Sequence, residues 1–530
     1  MKFQKTTQVI NRIAIITIGV LTSAIMLFLT FESFFKTVDM NMNNSFLENV
    51  TYLGDNVLIN ILYLLVFIAL FFLLKKVADK IPMWSVYTAS ALWTILLGVL
   101  WVYSVRSAPT HDSQIVTSAA YAIAKNGDYS QVTADYFYRF PFQLGYVFVN
   151  ELLMYILPVK DGCFLSLEVV NILFLAGANL SMISIINDIF DNKSMAKLAG
   201  ILLMFSLQPI LFSTFLYGNI PGFAFALLAV MLMMRYYKTN KYAYLIASPI
   251  ALGLSVSVKL NNMIVFVAVV IIAVILLIKR RKLTDIIYIL LACIMVVGIK
   301  DLMIIQYQQR ANVDYGDGIP MWSWMHMGFS EGSIENGWYN YYCTVAPFEE
   351  NNRDSEKTAE ISKQRIKERL DYFSHNPKYT LNFFYKKAVS QWNEPTYQSI
   401  WTNQVRGFYG ESNALGKFVI GDGEKYVKSY MNAFQLIVFL GMLIYCVLAT
   451  LQKDIKQMMI PLIFLGGFLY HLLFEAKSQY ALTYFAMMVP CAAVGYYKAL
   501  DYFESKFLKK SPKSSGNKNK NKADKKTKAK

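Results

Sequence analysis

A carboxylic acid and a histidine stand just beyond the end of a long apolar run. The segment Arg106-Ser-Ala-Pro-Thr-His-Asp-Ser-Gln114 places His111 and Asp112 about one helical turn past that run. A carboxylate there can cap a helix, set topology, or take a proton from a nucleophile within hydrogen-bond reach. His111 can tune that carboxylate or bond a substrate, although a lone histidine is more often structural. The chain continues through Tyr136-Phe-Tyr-Arg-Phe-Pro-Phe-Gln143, where Tyr138, Arg139 and Gln143 precede the next apolar run. Arg139 either pairs with an anion or snorkels along apolar surface. Lys259 falls between two apolar runs in Ser257-Val-Lys-Leu-Asn-Asn262, and an ionisable group at that depth is a functional hypothesis by default. Glu475, Lys477 and Tyr480 gather in the turn His471-Leu-Leu-Phe-Glu-Ala-Lys-Ser-Gln-Tyr480. Tyrosine and glutamine at a membrane rim also serve as interface anchors.

The elements that must position these residues are membrane helices. The chain has 530 residues, of which 55% are hydrophobic, and many runs approach the roughly 20 apolar residues that cross a bilayer. They fall at about 10–31, 55–75, 83–105, 142–158, 163–188, 195–214, 219–235, 242–258, 262–279, 284–304, 432–451, 457–474 and 479–498. Within lipid every backbone polar group must be paired inside its own segment, so these runs read as helices. The expected fold class is an all-α polytopic membrane protein of about 12 transmembrane helices with a mixed extracytoplasmic insert. The run at 10–31 lacks a small-residue cleavage site and reads as a retained helix rather than a signal peptide.

Orientation follows Lys and Arg in the short loops. Lys75, Lys76 and Lys80, the basic run Lys279–Lys282, and Lys453 with Lys456 put three loops inside. The segments 106–140 and 305–431 then lie outside, and both termini are cytoplasmic. Six runs between Arg106 and Lys279 would return the chain to the wrong side, so one must fail to span. The two candidates are 142–158, which starts at Pro141, and the hairpin 195–235, broken by Pro209 and Pro221. The resulting organisation is an N-terminal transmembrane module (1–304) carrying the first outer loop (106–140), an extracytoplasmic domain (305–431), C-terminal helices (432–500) and a tail (501–530). In the large loop, helices are predicted from Ser355 to about His375 and over Tyr379–Trp392; the second can lie on the membrane or dock as an ordinary surface helix.

Net charge is +16, and residues 506–530 hold eleven lysines against one acid, Asp524. The tail has no apolar period and reads as a disordered cytoplasmic anchor attracted to anionic lipid, not as a nucleic-acid arm. The five cysteines show no CxxC spacing, which argues against a disulfide framework or a zinc site. No Gly-rich nucleotide loop of the GxxxxGK[ST] kind occurs. Asp314 and Asp317 stand beside glycines without a complete calcium loop, and Asp128 adjoins Gly127 as a turn residue.

Asp112 and the stretch Tyr138-Arg-Phe-Pro-Phe-Gln-Leu-Gly145, within this many-helix layout, resemble the GT-C superfamily of polyprenyl-phosphate-sugar-dependent glycosyltransferases. That superfamily includes the protein O-mannosyltransferases and the lipid A aminoarabinose transferases. The resemblance implies a GT-C-like bundle in the cell membrane, a lipid-linked sugar donor, and an extracytoplasmic acceptor that is a cell-wall polymer, a glycolipid or a protein. It implies that Asp112 is the base for an inverting transfer, and that cations near the interface bind the lipid phosphate. Glu475 and Tyr480 look like the Glu-x-x-x-Arg-Tyr element of many such enzymes, with Gln479 where arginine is usual and Lys477 as the substitute charge. His111, Tyr138, Arg139, Gln143 and Lys259 complete the implied substrate-binding set. A divalent metal is left open, since no His/Asp ligand spacing demands one.

Two other classes stand beside this reading. A transporter or lipid flippase predicts charges buried mid-helix, of which Glu151 and Glu168 are the main examples, and paired halves with related spans. A non-catalytic assembly protein predicts that Asp112 is dispensable. Convergence of Asp112, Lys259 and Glu475 on one cleft favours transfer chemistry.

Overall fold

A computed structural model describes residues 2–42 and 48–508. It is 78% helical, as expected of an all-α polytopic membrane protein. Among the described residues nine helices are long and apolar enough to cross a membrane: Lys5–Phe35, Val57–Ala78, Met83–Val105, Leu165–Phe190, Asn219–Thr239, Leu260–Arg280, Leu283–Ala311, Glu424–Thr450 and Ile455–Leu473. A tenth is counted if the bent pair Lys193–Leu203 and Gln208–Thr214, which turns by 48°, is one span.

The remaining apolar runs depart from a simple span for visible reasons. The run at 142–158 becomes the 13-residue helix Leu144–Ile156, only about 20 Å long at 1.5 Å per residue. Tyr242–Val258 has 17 residues with Pro249 inside it. Ser478–Phe503 is long enough at 26 residues, but five tyrosines, Ser478, Gln479 and an internal Pro490 lower its apolar character. It runs through the middle of the bundle, buried on nearly all sides from Ser478 to Tyr496. It touches Glu424–Thr450 where Gly441 faces Ala492 and Gly495 faces the Gly441 carbonyl, the close approach that small residues permit between membrane helices.

Two features beyond the bundle position the site. The loop after the first helix folds into an antiparallel hairpin, Lys36–Met42 against Glu48–Gly54, registered from Lys36↔Gly54 to Met42↔Glu48. Val38 and Met40 are buried on its inner face. Its backbone is tied to the large insert by Val38 N–H donating to Asn393 O at 3.1 Å, and Lys428 reaches Asp39 at 2.5 Å. The insert is itself helical: Met321–Gly328, Val345–Glu350, Ser355–His375, Pro377–Trp392 and Ala414–Ile420. Asp354 caps the Ser355–His375 helix as the sequence predicts, while Pro377 opens the next helix at its first turn. That helix docks rather than floats, because its C-terminal half, Lys387 to Trp392, is fully buried. At the other end of the chain, Ser478–Phe503 continues through a turn at Glu504–Leu508. The lysine-rich tail from 509 onward lies outside the described residues.

The short helix Leu144–Ile156 is pinned by a charged cluster. Buried Glu151 accepts from Arg310 Nη2 at 2.6 Å and Nη1 at 3.0 Å, from Tyr307 at 2.5 Å and from Tyr155 at 3.0 Å. Arg310 Nε donates to Tyr129 at 2.7 Å. Glu151 is thus the fastener that joins Leu144–Ile156 to the end of Leu283–Ala311. Replacing Glu151 by alanine strands the Arg310 guanidinium and is expected to cost about 3–5 kcal/mol. The thermal midpoint in detergent should drop by several degrees, with Glu151→Gln falling between; an unchanged midpoint for Glu151→Ala would contradict this role.

Candidate functional site

On the side that bears the insert, polar side chains from separate stretches of the chain come together. The first stretch is the helix His111–Asn126, whose start is fixed by a capping box between Thr110 and Ser113. His111 enters it with φ 50, a backbone conformation that costs a non-glycine residue energy and is common at functional sites. Both His111 and Asp112 are exposed. Asp112 sits in the first turn, at the positive end of the helix dipole.

Asp112 is oriented by a tyrosine the sequence did not single out. Tyr217 O–H donates to Asp112 Oδ2 at 3.2 Å. Gln143 Nε2 donates to the Tyr217 oxygen at 2.6 Å, and Tyr136 lies 2.9 Å away. Since the one Tyr217 proton is committed to Asp112, Tyr136 is the donor in the last pair. Burial pushes the Tyr217 phenol well above its ordinary range, which keeps it a donor. Lys259 Nζ sits 4.1 Å from the centre of the Tyr217 ring, a cation–π distance.

Packing explains why Tyr217 and Lys259 meet. Segment 257–259 is approached by three glycines, each too close for a side chain. A Cβ on Gly145 would lie 1.9 Å from Ser257 O; on Gly218, 2.4 Å from Val258 O; on Gly222, 2.9 Å from Lys259 Cβ. Gly218 also has φ +79, which a side chain disfavours.

The other half of the cluster is the turn after Ile455–Leu473. Tyr480 O–H donates to Glu475 Oε2 at 3.0 Å. Lys477 Nζ pairs with Glu48 of the hairpin at 2.6 Å, and Gln398 Nε2 donates to the same Glu48 oxygen at 2.7 Å. The turn's backbone is held almost entirely by other elements. Lys387 Nζ donates to the carbonyls of Leu472 at 3.0 Å, Phe474 at 2.7 Å and Gly328. Ala476 N–H donates to Gly337 O at 2.8 Å, and Gln391 Nε2 to Lys477 O at 3.3 Å. His471 Nδ1 lies 2.8 Å from Glu475 O; a carbonyl only accepts, so Nδ1 carries the proton.

The two halves feel each other's charge. Lys259, though partly open to the cleft, is surrounded by protein. Burial lowers its ammonium to about 7 against the opposing pull of Asp112 and Glu475. Burial raises the Glu475 carboxyl to about 7, opposed by Lys477, by the Tyr480 hydrogen bond and by Lys259. For Lys477 burial acts downward, but the Glu48 carboxylate outweighs it, helped by Glu475 and Asp112, and the net shift is up. Of these coupled groups Asp112 is exposed, and Tyr217, Lys259, Glu475, Lys477 and Tyr480 are partly exposed.

The structure brings together Asp112, Gln143, Lys259, Glu475, Lys477 and Tyr480, with His111 beside them. Tyr138 and Arg139 are engaged by the insert instead. Arg139 Nε pairs with Glu349 Oε1 at 2.6 Å, and the Tyr138 ring lies 5.2 Å from the Arg353 guanidinium. Asp314 accepts from Gln308 and from Gly316 N–H in a local turn. Among the described residues no group of three or more His, Cys, Asp or Glu is arranged to hold a metal ion. Tyr217, Tyr136 and Glu48 went unread in the sequence. Tyr217-Gly-Asn-Ile-Pro221, a polar break between apolar runs, and the alternation around Val38 and Met40 were the available signals.

A family model described as "Conserved hypothetical integral membrane protein" matches residues 6–500. No curated protein and no solved structure matches the chain.

The glycine contacts yield a stability test. Gly218→Ala must displace segment 257–259 and is expected to cost about 1–3 kcal/mol. Gly177→Ala, in a helix with nothing within 4 Å, should be neutral or stabilising by up to about 1 kcal/mol. Paired melting curves in detergent decide; equal effects at both positions would remove the argument.

Proposed function

The chain belongs to this family of integral membrane proteins, and from that premise we propose that it is a GT-C-type inverting glycosyltransferase. On this reading it moves a sugar from a polyprenyl-phosphate donor to an acceptor on the outer face of the cell membrane. The supporting observation is the convergence of Asp112, Lys259, Lys477 and Glu475 from distant parts of the chain, with Tyr217 touching both Asp112 and Lys259 and with Glu475 and Lys477 within the field of Lys259. A carboxylate base, two cations and hydroxyl-bonding groups are what such a transfer requires.

The acceptor hydroxyl gives its proton to Asp112 while its oxygen attacks C1 of the donor sugar. The C1–O bond to phosphate breaks, polyprenyl phosphate leaves, and the anomeric configuration inverts. Tyr217 holds Oδ2 of Asp112, which leaves Oδ1 free to accept the proton. Lys259 and Lys477 stabilise the leaving phosphate. Glu475 and Tyr480 bond sugar hydroxyls. Arg139, turned toward Glu349, acts by tying the first outer loop to the insert.

The deciding experiment is transfer of radiolabelled sugar from membrane polyprenyl-phosphate donors at matched protein level. Asp112→Asn should lower transfer by about 10²–10⁴-fold while the protein still inserts. Unchanged transfer would return the transporter and assembly readings to the front.

A pH test follows from the two groups near 7. As pH rises from about 6 to about 8, Lys259 loses its charge and Glu475 gains one. Both changes oppose an anionic ligand, so affinity for a fluorescent polyprenyl phosphate in nanodiscs should fall roughly tenfold. Lys259→Arg stays charged and should flatten the curve. An affinity that rises with pH, or an unaltered slope in the arginine variant, would count against Lys259 as a phosphate ligand.

A further inference from the structure

The Gly337-Trp-Tyr-Asn-Tyr-Tyr342 segment of the insert, tied at Gly337 to the turn that carries Glu475, presents three tyrosines. Tyr339 is 40% exposed, Tyr341 47% and Tyr342 76%, while the adjacent Trp338 is fully buried and donates from Nε1 to Ser390 Oγ at 3.0 Å. The exposed rings therefore stand on an anchored support. Asn340 locks the turn between them: its Oδ1 accepts from Tyr342 N–H at 3.0 Å, its Nδ2 donates to Glu331 O at 3.1 Å, and its N–H meets Met327 Sδ at 3.1 Å. Tyr341 and Tyr342 lie edge to face, with ring centres 5.6 Å apart.

This support borders the acid cluster. Ala476 N–H, between Glu475 and Lys477, donates to Gly337 O at 2.8 Å, Trp338 packs with Ala476, and the carboxylates of Asp112 and Glu475 add to the upward push of burial on the Tyr339 phenol. Nothing in the transfer chemistry above uses these rings. We propose that Tyr339, Tyr341 and Tyr342 form an acceptor subsite for a carbohydrate chain, so that the acceptor of the reaction is a glycan rather than a polypeptide. This rests on the glycosyltransferase reading and narrows its substrate class.

The chemistry of the surroundings favours sugar. Ring faces give C–H-rich pyranose surfaces a flat apolar partner, and phenol edges bond hydroxyls. The neighbouring polar side chains include Glu331, Glu335, Asn340 and Arg365, whose Nη1 donates to Tyr342 O at 3.4 Å, and carboxylate, amide and guanidinium groups all bond hydroxyls. A locked turn also offers the rings at little entropic cost on binding.

The test uses the full chain in nanodiscs, with three probes read by saturation-transfer NMR and titration. They are a linear hexopyranose tetrasaccharide, a Ser/Thr-rich peptide, and lipid vesicles without sugar. The tetrasaccharide is expected to bind. Tyr341→Ala and Tyr342→Ala should each weaken it about fivefold or more, Tyr341→Phe should keep most of the binding, and thermal midpoints should not move. Tetrasaccharide binding that ignores the alanine variants would overturn the proposal, as would a peptide or vesicle response that needs the same tyrosines. Asp112→Asn separates the two readings: it should abolish transfer but still bind tetrasaccharide. A wild-type protein that binds tetrasaccharide yet transfers nothing defeats the enzyme reading alone, and one that transfers without binding tetrasaccharide defeats the subsite alone.

Discussion

One buried ammonium holds the insert to the membrane bundle. Lys387, 1% exposed, spends its three N–H bonds on the carbonyls of Gly328, Leu472 and Phe474. Burial pushes the Lys387 amine well down, yet the geometry demands three donors, and a neutral amine has two. The charged form is the one that fits. A helix end in lipid leaves its last carbonyls without partners, and here the insert supplies them. The turn carrying Glu475 and Lys477 is therefore shaped by a residue far away in sequence, and the insert works as part of the site's scaffold.

The opposite wall of the cleft is placed by a different force. Segment 257–259 is set by close approaches at Gly145, Gly218 and Gly222. Asp112 and Tyr217 follow from that packing, because Gln143 stands two residues before Gly145 and Tyr217 one before Gly218. Ion pairs then close the structure around both walls: Arg139 with Glu349, Arg353 with Asp135, and Lys477 with Glu48. Individually exposed ion pairs add little, but these join elements already brought together by burial, so their role is register.

The membrane class, the short run at 142–158, the break at Pro209 and the Ser355–His375 helix were legible because each depends on local composition, whereas Pro221, read as a second break, stands in the first turn of the continuous helix Asn219–Thr239. Asp112, Lys259, Glu475 and Lys477 were legible as charges at the ends of apolar runs. The hairpin that carries Glu48 was not, since seven-residue strands inside a short loop give a weak period-2 signal. Tyr217 was hidden for another reason. A tyrosine beside an apolar run reads as an interface anchor, and only the fold of the glycines beneath it aims its hydroxyl at Asp112. Arg139 shows the converse: its position suggested a phosphate ligand, but Glu349, 210 residues away, takes the guanidinium.

The charge balance of the cleft ties these walls to a purpose. Burial, only partly offset by the neighbouring charges, moves Lys259 down and Glu475 up until both stand near 7, so the site holds charges that it only half supports. Proteins rarely keep such groups for stability, because apolar replacements pack better at lower cost, and strongly perturbed groups gather where chemistry occurs. An anion placed between Lys259 and Lys477 would restore the lysine's charge and compensate its desolvation, whereas a neutral ligand would leave the imbalance standing. On the proposed reading, the same arrangement would favour a phosphate-bearing lipid over the uncharged lipids around it.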